Sequence, residues 1–196
     1  MIAGQNKVGP NGYEVMLFPL DEMYITQGIH ADYCMDFVGW NGSSQVNQYP
    51  YYAPCTCTCV AKGSGGDWVA FTSDNPVYIP QSPGIPVIVT WQQGHDDTPC
   101  NVGDHFNQGD LIGHTGTTGQ VTGDHLHFNT ALGQYTAPWS QHLNNSIQIY
   151  DCCYVDDTIL YRPLSYPWVT YGDTPTPTPS MKRKKYPWFI ISHFRM

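Results

Sequence analysis

The sequence has few positive charges. Among its 196 residues, 8 are Lys or Arg and 16 are Asp or Glu, so the formal net charge is -8 at pH 7. Binding to nucleic-acid phosphates requires clustered basic side chains. The composition therefore argues against nucleic acid as the main partner, although a small basic patch can still act locally on an anionic polymer.

Long apolar runs are also missing. No stretch approaches the roughly 20 apolar residues that a helix needs to cross a bilayer, so we predict no transmembrane span. Residues 1–11 lack the basic start and apolar stretch of a secretory signal. We therefore expect either delivery by a route other than general secretion or earlier processing of the chain.

Helical periodicity is absent from every window of the sequence, whereas turn-forming residues are frequent. The 19 Gly, 16 Pro and 14 Tyr indicate many turns and short strands. Strand candidates lie at residues 55–61, 68–71, 86–92 and 125–131. We predict an all-β fold of short antiparallel sheets with irregular loops.

Two common metal-binding motifs are absent. The seven Cys form no paired C-x-x-C knuckles of a zinc ribbon, and no H-E-x-x-H occurs. Cys55, Cys57 and Cys59 alternate along one strand candidate, while Cys152 and Cys153 are adjacent. We interpret these residues as buried structural thiols, with disulfides and a second metal site as the alternatives.

The composition divides the chain into four segments. Residues 1–23 form an N-terminal lead-in, and residues 24–172 form the main domain. Residues 173–180 read as an extended Pro/Thr linker, and residues 181–196 as a basic and aromatic C-terminal tail. This tail is either a flexible end or a docking peptide or membrane-surface anchor.

The most informative motif is the triplet His125-Leu126-His127. On a strand, His125 and His127 point to the same side and lie about 7 Å apart along the backbone. Turns of small residues at 116–119 and 122–124 precede the triplet and can leave a cavity open beside it. Taken alone, the triplet is weak, because two His on one strand face can arise by chance.

Other ligand types occur at suitable places upstream. His30 and Asp36 flank the start of a strand candidate, and His95 follows the most apolar one. Two His and one Asp, with one coordination position left for water, make a reasonable catalytic zinc shell. The sequence therefore points to a hydrolytic metal centre.

The ordered motifs resemble those of the lysostaphin-like zinc metallopeptidases, a family of cell-wall endopeptidases. The matching pieces, in chain order, are residues 27–30 with 35–38, residues 52–54, Gly94-His95, residues 102–104 with 108–113, and residues 115–119 through 122–128. The resemblance covers roughly residues 24–132. Several motifs in one order are far more specific than any single motif.

The resemblance implies a site and a fold. It implies that His30, Asp36 and His127 bind zinc, and that His95 and His125 line the cleft as catalytic histidines. It also implies a groove-bearing β core, with residues 24–172 as the zinc endopeptidase domain. Bound zinc lowers the pKa of its water, a neutral His can take the proton, and a second His can hydrogen-bond the developing oxyanion.

Two positions depart from the family pattern. The first His and Asp ligands are often four residues apart, whereas His30 and Asp36 are six apart, so Asp32 competes for the Asp36 role. The family usually has Tyr two residues before the cleft histidine, where this chain has Gln93, so His105 competes with His95. His105 and the remaining histidines are interpreted as surface or structural residues. The remaining histidines are His114, His142 and His193.

The function predicted from the resemblance is hydrolysis of the peptide cross-links of bacterial peptidoglycan. The alternatives are a degenerate, non-catalytic family member that serves as a structural or wall-binding module, and a non-enzymatic sugar-binding β module. The five site residues are all present, which favours the enzyme. Glycine bridges and D-alanyl cross-links both suit a shallow groove, so the bond that is cut stays open.

The expected setting is a bacteriophage. A wall hydrolase without a secretion signal must reach the wall from outside or at host lysis, as a tail-tip enzyme in the virion or as a lysin. The Pro-linked tail at residues 181–196 would suit attachment to other phage tail proteins.

Overall fold

The structure is a computed structural model, and it describes residues 3–173. The predicted linker after Asp173, the predicted tail at residues 181–196 and His193 lie outside the described residues. None of the helices in residues 3–173 has the length and apolar character needed to span a bilayer.

The described residues are mostly strands joined by turns, so the predicted all-β class is confirmed. The strands are β1 Glu22–Gln27, β2 Met35–Trp40, β3 Gln45–Val46, β4 Pro50–Tyr52, β5 Cys57–Lys62, β6 Trp68–Ser73, β7 Val77–Ile79, β8 Ser82–Val87, β9 Val89–Gly94, β10 His105–Phe106, β11 Leu111–His114, β12 Leu126–Leu132, β13 Ser146–Ile147 and β14 Ile159–Arg162. Two short α-helices are α1 Trp139–His142 and α2 Ile149–Cys152, and 3-10 turns lie at Pro10–Gly12, Ala31–Tyr33 and Leu143–Asn145.

One large sheet organises the molecule. Its strands follow the order β10-β5-β6-β9-β12-β2-β1-β14, with β13 added beside β12 and β3 beside β2. Strands β4 and β11 form one small sheet, and β7 and β8 form another. Neighbours are antiparallel as predicted, except that β14 pairs with β1 in parallel. Most of the chain lies between these two strands, so no hairpin turn dictates their relative direction.

The predicted strand at residues 86–92 is divided between two sheets. Strand β8 ends at Val87 and pairs with β7, whereas β9 begins at Val89 and pairs with β6 and β12. Pro86 has no backbone N–H to donate, so it suits a strand with an unpaired edge rather than the centre of a sheet. The prediction of one continuous strand was wrong at this crossing point.

The core packs against one face of the large sheet. Alternation along β2 and β12 points Phe37 and Phe128 into this core, where both are fully buried. The ring of Phe18 packs edge-on against both, with centroid distances of 4.9 and 6.4 Å. Because successive side chains along a strand alternate in direction, the polar residues next to Phe37 in β2 and next to Phe128 in β12 project from the opposite face of the sheet.

Part of the predicted lead-in contributes to this core. Met16, Phe18 and Leu20 are fully buried among the side chains of the large sheet. The side-chain amide of Gln108 donates hydrogen bonds to the carbonyl of Val15 and to that of Pro54, which holds the segment in place. The boundary between residues 23 and 24 stays a prediction, and buried side chains on both sides of it share one core.

The thiols are free in the described residues. The five Cys singled out from the sequence are buried: Cys55, Cys57, Cys59, Cys152 and Cys153. Burial raises the pKa of the Cys55 and Cys57 thiols, because the charged thiolate loses solvation. Cys55 and Cys57 therefore act as small apolar side chains, as the favoured interpretation expected, whereas a hydrogen bond with Cys100 lowers the pKa of the Cys59 thiol.

Replacing Phe18 tests the core. We expect Phe18→Ala to lower the free energy of unfolding by about 3–5 kcal/mol, because it removes a buried ring and leaves a cavity between two other aromatics. Urea denaturation followed by tryptophan fluorescence measures this loss. The matched control is Ile85→Ala, since Ile85 is 70% exposed and its truncation should change stability by less than about 0.5 kcal/mol. Equal effects of both changes would contradict this description of the core.

Candidate metal centre and catalytic site

Strand pairing assembles the centre of the site. Strand β12 lies between β2 and β9, and His127 is paired with Asp36 on one side and with Gly94 on the other. Both Asp36 and His127 project from the face opposite the core, as the alternation of their strands requires. His125, two residues before His127, points to the same side. The centre of the site, Asp36 with His127, is therefore built on the backbone of the sheet, whereas His30, His95 and His125 lie outside the strands.

Glycines give the site its close approaches. A Cβ on Gly94 would lie 3.1 Å from the Cβ of His127, so a side chain there would crowd the imidazole. A Cβ on Gly116 would lie 2.3 Å from the backbone oxygen of His95. Gly116 also forms an isolated bridge with His125. The loop that carries His95 can therefore lie against the strand entry that carries His125 only because residue 116 has no side chain.

Three imidazoles converge on one carboxylate oxygen. Oδ1 of Asp36 lies 2.9 Å from Nδ1 of His127, 3.7 Å from Nε2 of His30 and 3.8 Å from Nε2 of His125. Burial alone would raise the pKa of Asp36, but the hydrogen bond from His127 and the charges of the three rings outweigh it and lower that pKa. Asp36 is thus held as a carboxylate among possible metal ligands.

Backbone carbonyls orient the rings. Nδ1 of His30 lies 2.9 Å from the oxygen of Gly28, and Nδ1 of His125 lies 2.8 Å from that of Gly123. A carbonyl oxygen only accepts hydrogen bonds, so each Nδ1 carries the proton and donates it. In the neutral rings each Nε2 then keeps a free lone pair. This is the tautomer needed for an Nε2 metal ligand or an Nε2 base.

His95 lies beside the same cluster. Its ring centroid is 4.6 Å from that of His125 and 5.7 Å from that of His127. Its Nδ1 donates to the carbonyl oxygen of Thr118 at 2.9 Å. Burial lowers the pKa of His95, and the neighbouring histidines lower it further against the opposing effect of that carbonyl. His95 is therefore neutral near pH 7, and its Nε2 keeps a lone pair that can accept a proton.

His95 also has an unusual backbone. Its φ is +75°, in the left-handed region that costs a residue with a side chain about 1–2 kcal/mol. Gln93 stands where the family usually has Tyr. It pairs with Phe128 across the strands and is buried on the core side of the sheet. The left-handed turn at His95 directs the chain out of β9 and across the open face.

Asp32 and His105, the alternatives to Asp36 and His95, lie outside the cluster. Asp32 is exposed in the 3-10 turn after His30, and its carboxylate takes no part in the Asp36 cluster. His105 is paired with Asp74 at 2.8 Å on β10, and its side chain is 51% exposed. His114 and His142 are likewise outside the cluster. The arrangement brings together the five residues that the family resemblance implied and separates them from these alternatives.

One residue in the cluster was missed at the sequence level. Ligand atoms of His30, Cys34 and His127 all lie within 4.8 Å of one another. Cys34 is 4% exposed, and its thiol also donates to the carbonyl of Ala31. The only signal in the sequence is its position four residues after His30, between the two predicted ligands.

The residues present fit a zinc ion. Tetrahedral zinc with nitrogen and oxygen ligands at about 2.1 Å requires neighbouring donors about 3.4 Å apart. The separations of 2.9 and 3.7 Å from Asp36 Oδ1 to His127 and His30 lie on either side of that value. One carboxylate and two imidazoles, of which His30 has its Nε2 free, are a suitable donor set. His30, Asp36 and His127 could therefore hold a metal.

A groove adjoins the cluster. Its volume is about 360 Å³, and its walls include Asp36 and His125 together with Gln27, Gln45 and Thr122. Side-chain amides and hydroxyls can hydrogen-bond an extended polar ligand. A larger cavity of about 520 Å³, lined by Tyr150, Trp168 and Tyr171, contains none of the clustered histidines. The smaller groove is therefore the one that can present a substrate to the site.

Two kinds of similar protein are known, namely a curated phage protein and several solved structures. No family model matches the chain. "Morphogenesis protein 1" of Bacillus phage B103 is 36% identical over 174 residues, which cover 83% of this chain and 46% of that protein. The chain therefore spans about half the length of the curated relative that it matches.

Solved structures similar to the chain include peptidases. Lysostaphin from Staphylococcus simulans is 19% identical, with 65% of this chain and 46% of that chain covered and a TM-score of 0.44. A zinc containing peptidase from Vibrio cholerae is 16% identical, with coverages of 72% and 44% and a TM-score of 0.46. The catalytic domain of lysostaphin is 22% identical, with coverages of 70% and 86% and a TM-score of 0.42.

The coupling of Asp36 and His127 predicts a pH dependence in metal-free protein. Burial alone would lower the pKa of His127, but the contacts with Asp36 and Cys34 outweigh it and raise that pKa to about 9, from 6.5. The folded pKa lies above the unfolded one, so the stabilisation is complete below about pH 6.5 and is lost as pH rises through about 9. We expect the free energy of unfolding to fall by a few kcal/mol across this range, because one pKa unit corresponds to about 1.4 kcal/mol.

Urea denaturation at a series of pH values, with a chelator present, measures this fall. Asp36→Asn should remove most of it, because an amide does not stabilise the protonated ring. The matched control is His105→Ala, which removes a histidine–aspartate pair outside the cluster and should leave the fall between pH 6.5 and 9 intact. An unchanged fall in Asp36→Asn would mean that the pair does not carry this stability.

Proposed function

This chain resembles the lysostaphin-like peptidases in its ordered motifs, and we propose that it is a zinc metalloendopeptidase that hydrolyses the peptide cross-links of bacterial peptidoglycan. The observation that carries the proposal is the convergence of His30, His125 and His127 on one oxygen of Asp36, with His95 beside them. Four histidines around one buried carboxylate are costly to assemble unless they serve a ligand or a reaction.

Three of these side chains are proposed as metal ligands. His30, Asp36 and His127 would bind zinc, which supplies Lewis acidity and lowers the pKa of water when it is bound. The carbonyl of Gly28 holds His30 in the tautomer that leaves Nε2 free. The backbone pairing of β2 with β12 holds Asp36 against His127. Ligands placed by a sheet keep their geometry better than ligands on loops.

The other two histidines would move protons. We assign proton acceptance from the attacking water to His95, because its lowered pKa and its bond to Thr118 keep Nε2 unprotonated with a free lone pair. We assign hydrogen bonding of the developing oxyanion to His125, whose Nε2 lies on the Asp36 side of the cluster, 3.8 Å from Oδ1. This role requires an N–H at that nitrogen. The proton held by His95 would then pass to the leaving amine.

The groove suits a peptide substrate. Gln27, Gln45 and Thr122, whose side chains carry amide and hydroxyl groups, line the space beside Asp36 and His125. Such groups can hydrogen-bond the amides and carbonyls of an extended peptide without demanding large side chains. Cross-links of glycine or D-alanine have small side chains and would fit. Digestion of peptidoglycans of defined cross-link chemistry, with mass analysis of the fragments, identifies the bond.

The biological setting that we propose is a bacteriophage particle. Support comes from the relative named "Morphogenesis protein 1" of Bacillus phage B103. A wall hydrolase in the virion tail would open the wall during infection, and the segment at residues 181–196 would attach it to other tail proteins. The alternative is a lysin released at host lysis. A degenerate, non-catalytic module is less favoured, because the five proposed site residues are retained and clustered.

Two substitutions in the His-Leu-His triplet test the catalytic proposal. We expect purified protein to contain about one zinc per chain. His127→Ala should lose both zinc and lysis of cell walls, because it removes a ligand. His125→Ala should keep zinc but lose at least about 100-fold in rate, the scale of a missing proton-transfer group. Metal analysis and turbidity of wall suspensions measure the two effects.

The control for both substitutions is His114→Ala, because His114 is partly buried and lies outside the cluster. It should keep both zinc and lytic rate. Loss of zinc in His125→Ala would overturn the division of roles between the two histidines. A parent protein that binds no zinc, and whose lysis is not restored by added zinc, would count against the enzyme itself.

The proposed location in the phage particle can be tested separately. If the chain is part of the phage tail, mass spectrometry should detect it in virions purified through a density gradient, at a constant ratio to other tail proteins. Detection in lysates but never in purified virions would exclude the virion version and favour the lysin.

A further inference from the structure

Cys34 lies inside the cluster and has no part in the mechanism above. Its sulfur is within 4.8 Å of ligand atoms of both His30 and His127. We propose that the Cys34 thiolate is a fourth protein ligand of the metal, an inference that rests on the proposed zinc centre and adds a sulfur donor to it. On binding, the thiol proton leaves to solvent and a metal–sulfur bond forms.

The local backbone brings the sulfur to this place. The N–H of His30 donates to the carbonyl of Cys34 at 3.0 Å, and the N–H of Cys34 donates to the carbonyl of Ala31 at 3.2 Å. These two bonds close a tight loop through the 3-10 turn Ala31–Tyr33. Cys34 is therefore folded back beside His30, although three residues separate them in the sequence.

The surroundings of the sulfur distinguish it from the other thiols. Cys55, Cys57 and Cys153 are fully buried in the apolar core, where burial raises the pKa of each thiol. Cys34 instead contacts the ring of His127, which is hydrogen-bonded to the Asp36 carboxylate. Of the seven cysteines, all within residues 3–173, Cys34 alone has two histidine ligand atoms within 4.8 Å.

A sulfur ligand would change the metal centre in two ways. Thiolate is a soft donor, so it raises affinity for zinc, cadmium and other soft ions relative to magnesium or manganese. With three other protein ligands it also completes a four-coordinate shell, which is typical of structural zinc, whereas catalytic sites keep a position for water. The fully ligated form would therefore be a resting form, and a fifth position or release of the thiolate would admit water.

Cobalt substitution tests the proposal in the full-length protein. Co²⁺ added at one equivalent to metal-free protein reports tetrahedral binding through visible d–d bands and a thiolate ligand through a near-ultraviolet charge-transfer band. We expect both bands in the parent. Cys34→Ser should lose the charge-transfer band while keeping d–d absorption, because His30, Asp36 and His127 remain. Zinc affinity of the same variant, measured by competition with a chelator, should fall at least about tenfold.

The matched control is Cys100→Ser, which removes a partly buried thiol outside the cluster and should keep both bands. Visible bands without a charge-transfer band in the parent would overturn the role of Cys34 while leaving the proposed zinc centre intact. Absence of any cobalt binding would instead reject the metal centre, and with it both proposals. If Cys34→Ser does not fold, Cys34→Asp supplies an oxygen donor and should likewise lose only the charge-transfer band.

Discussion

The pairing of β2 with β12 is the constraint on which the site depends. It places His127 opposite Asp36, and the alternation of both strands points these residues away from the core. A slip of one residue would turn His127 and Asp36 into the core and bring apolar residues to the open face. The buried aromatics Phe37 and Phe128 make that slip very unfavourable, so core packing fixes the chemistry on the other face of the sheet.

The site is then completed from segments that are distant in sequence. Strand β9 brings Gly94 against His127 and leads into the left-handed turn at His95. The loop at residues 117–118 is held by the carboxylate of Asp97, which accepts hydrogen bonds from Thr117 and Thr118. That loop supplies the carbonyl that orients His95. A change in Asp97 would therefore reach His95 through the backbone.

Much of the architecture could be predicted because period-two patterns are local. The same-side projection of His125 and His127 follows from two residues of strand geometry, and frequent Gly and Pro indicated an all-β class. The order β9-β12-β2 could not be predicted in this way, because it joins strands that are far apart in the chain. The break at Ile88 was missed because a β-branched run does not show which sheet each half joins.

The position of Cys34 could not be read from the sequence for a related reason. A strand that begins at Met35 indicates only that the side chain of the preceding residue points to the opposite side from that of Met35. Its approach to His30 depends on a turn in which Asp32 and Tyr33 both have positive φ, at 55° and 64°. Asp adopts that conformation more often than most residues, but Tyr gives no indication of it, because Gly and Asn are the usual occupants. Sequence patterns therefore do not predict where side chains lie in segments of irregular backbone.

The electrostatics of the cluster favour a cation beside Asp36. Asp36 is the carboxylate shared by three rings, and the raised pKa of His127, about 9, shows that the metal-free cluster already retains a proton beside it. A divalent metal would replace that proton and supply a second charge, which the Cys34 thiolate could balance. Proton and metal therefore compete for one position, so metal affinity must weaken as pH falls below about 9. The same carboxylate that stabilises the metal-free fold at low pH thus sets the pH range in which the site can be loaded.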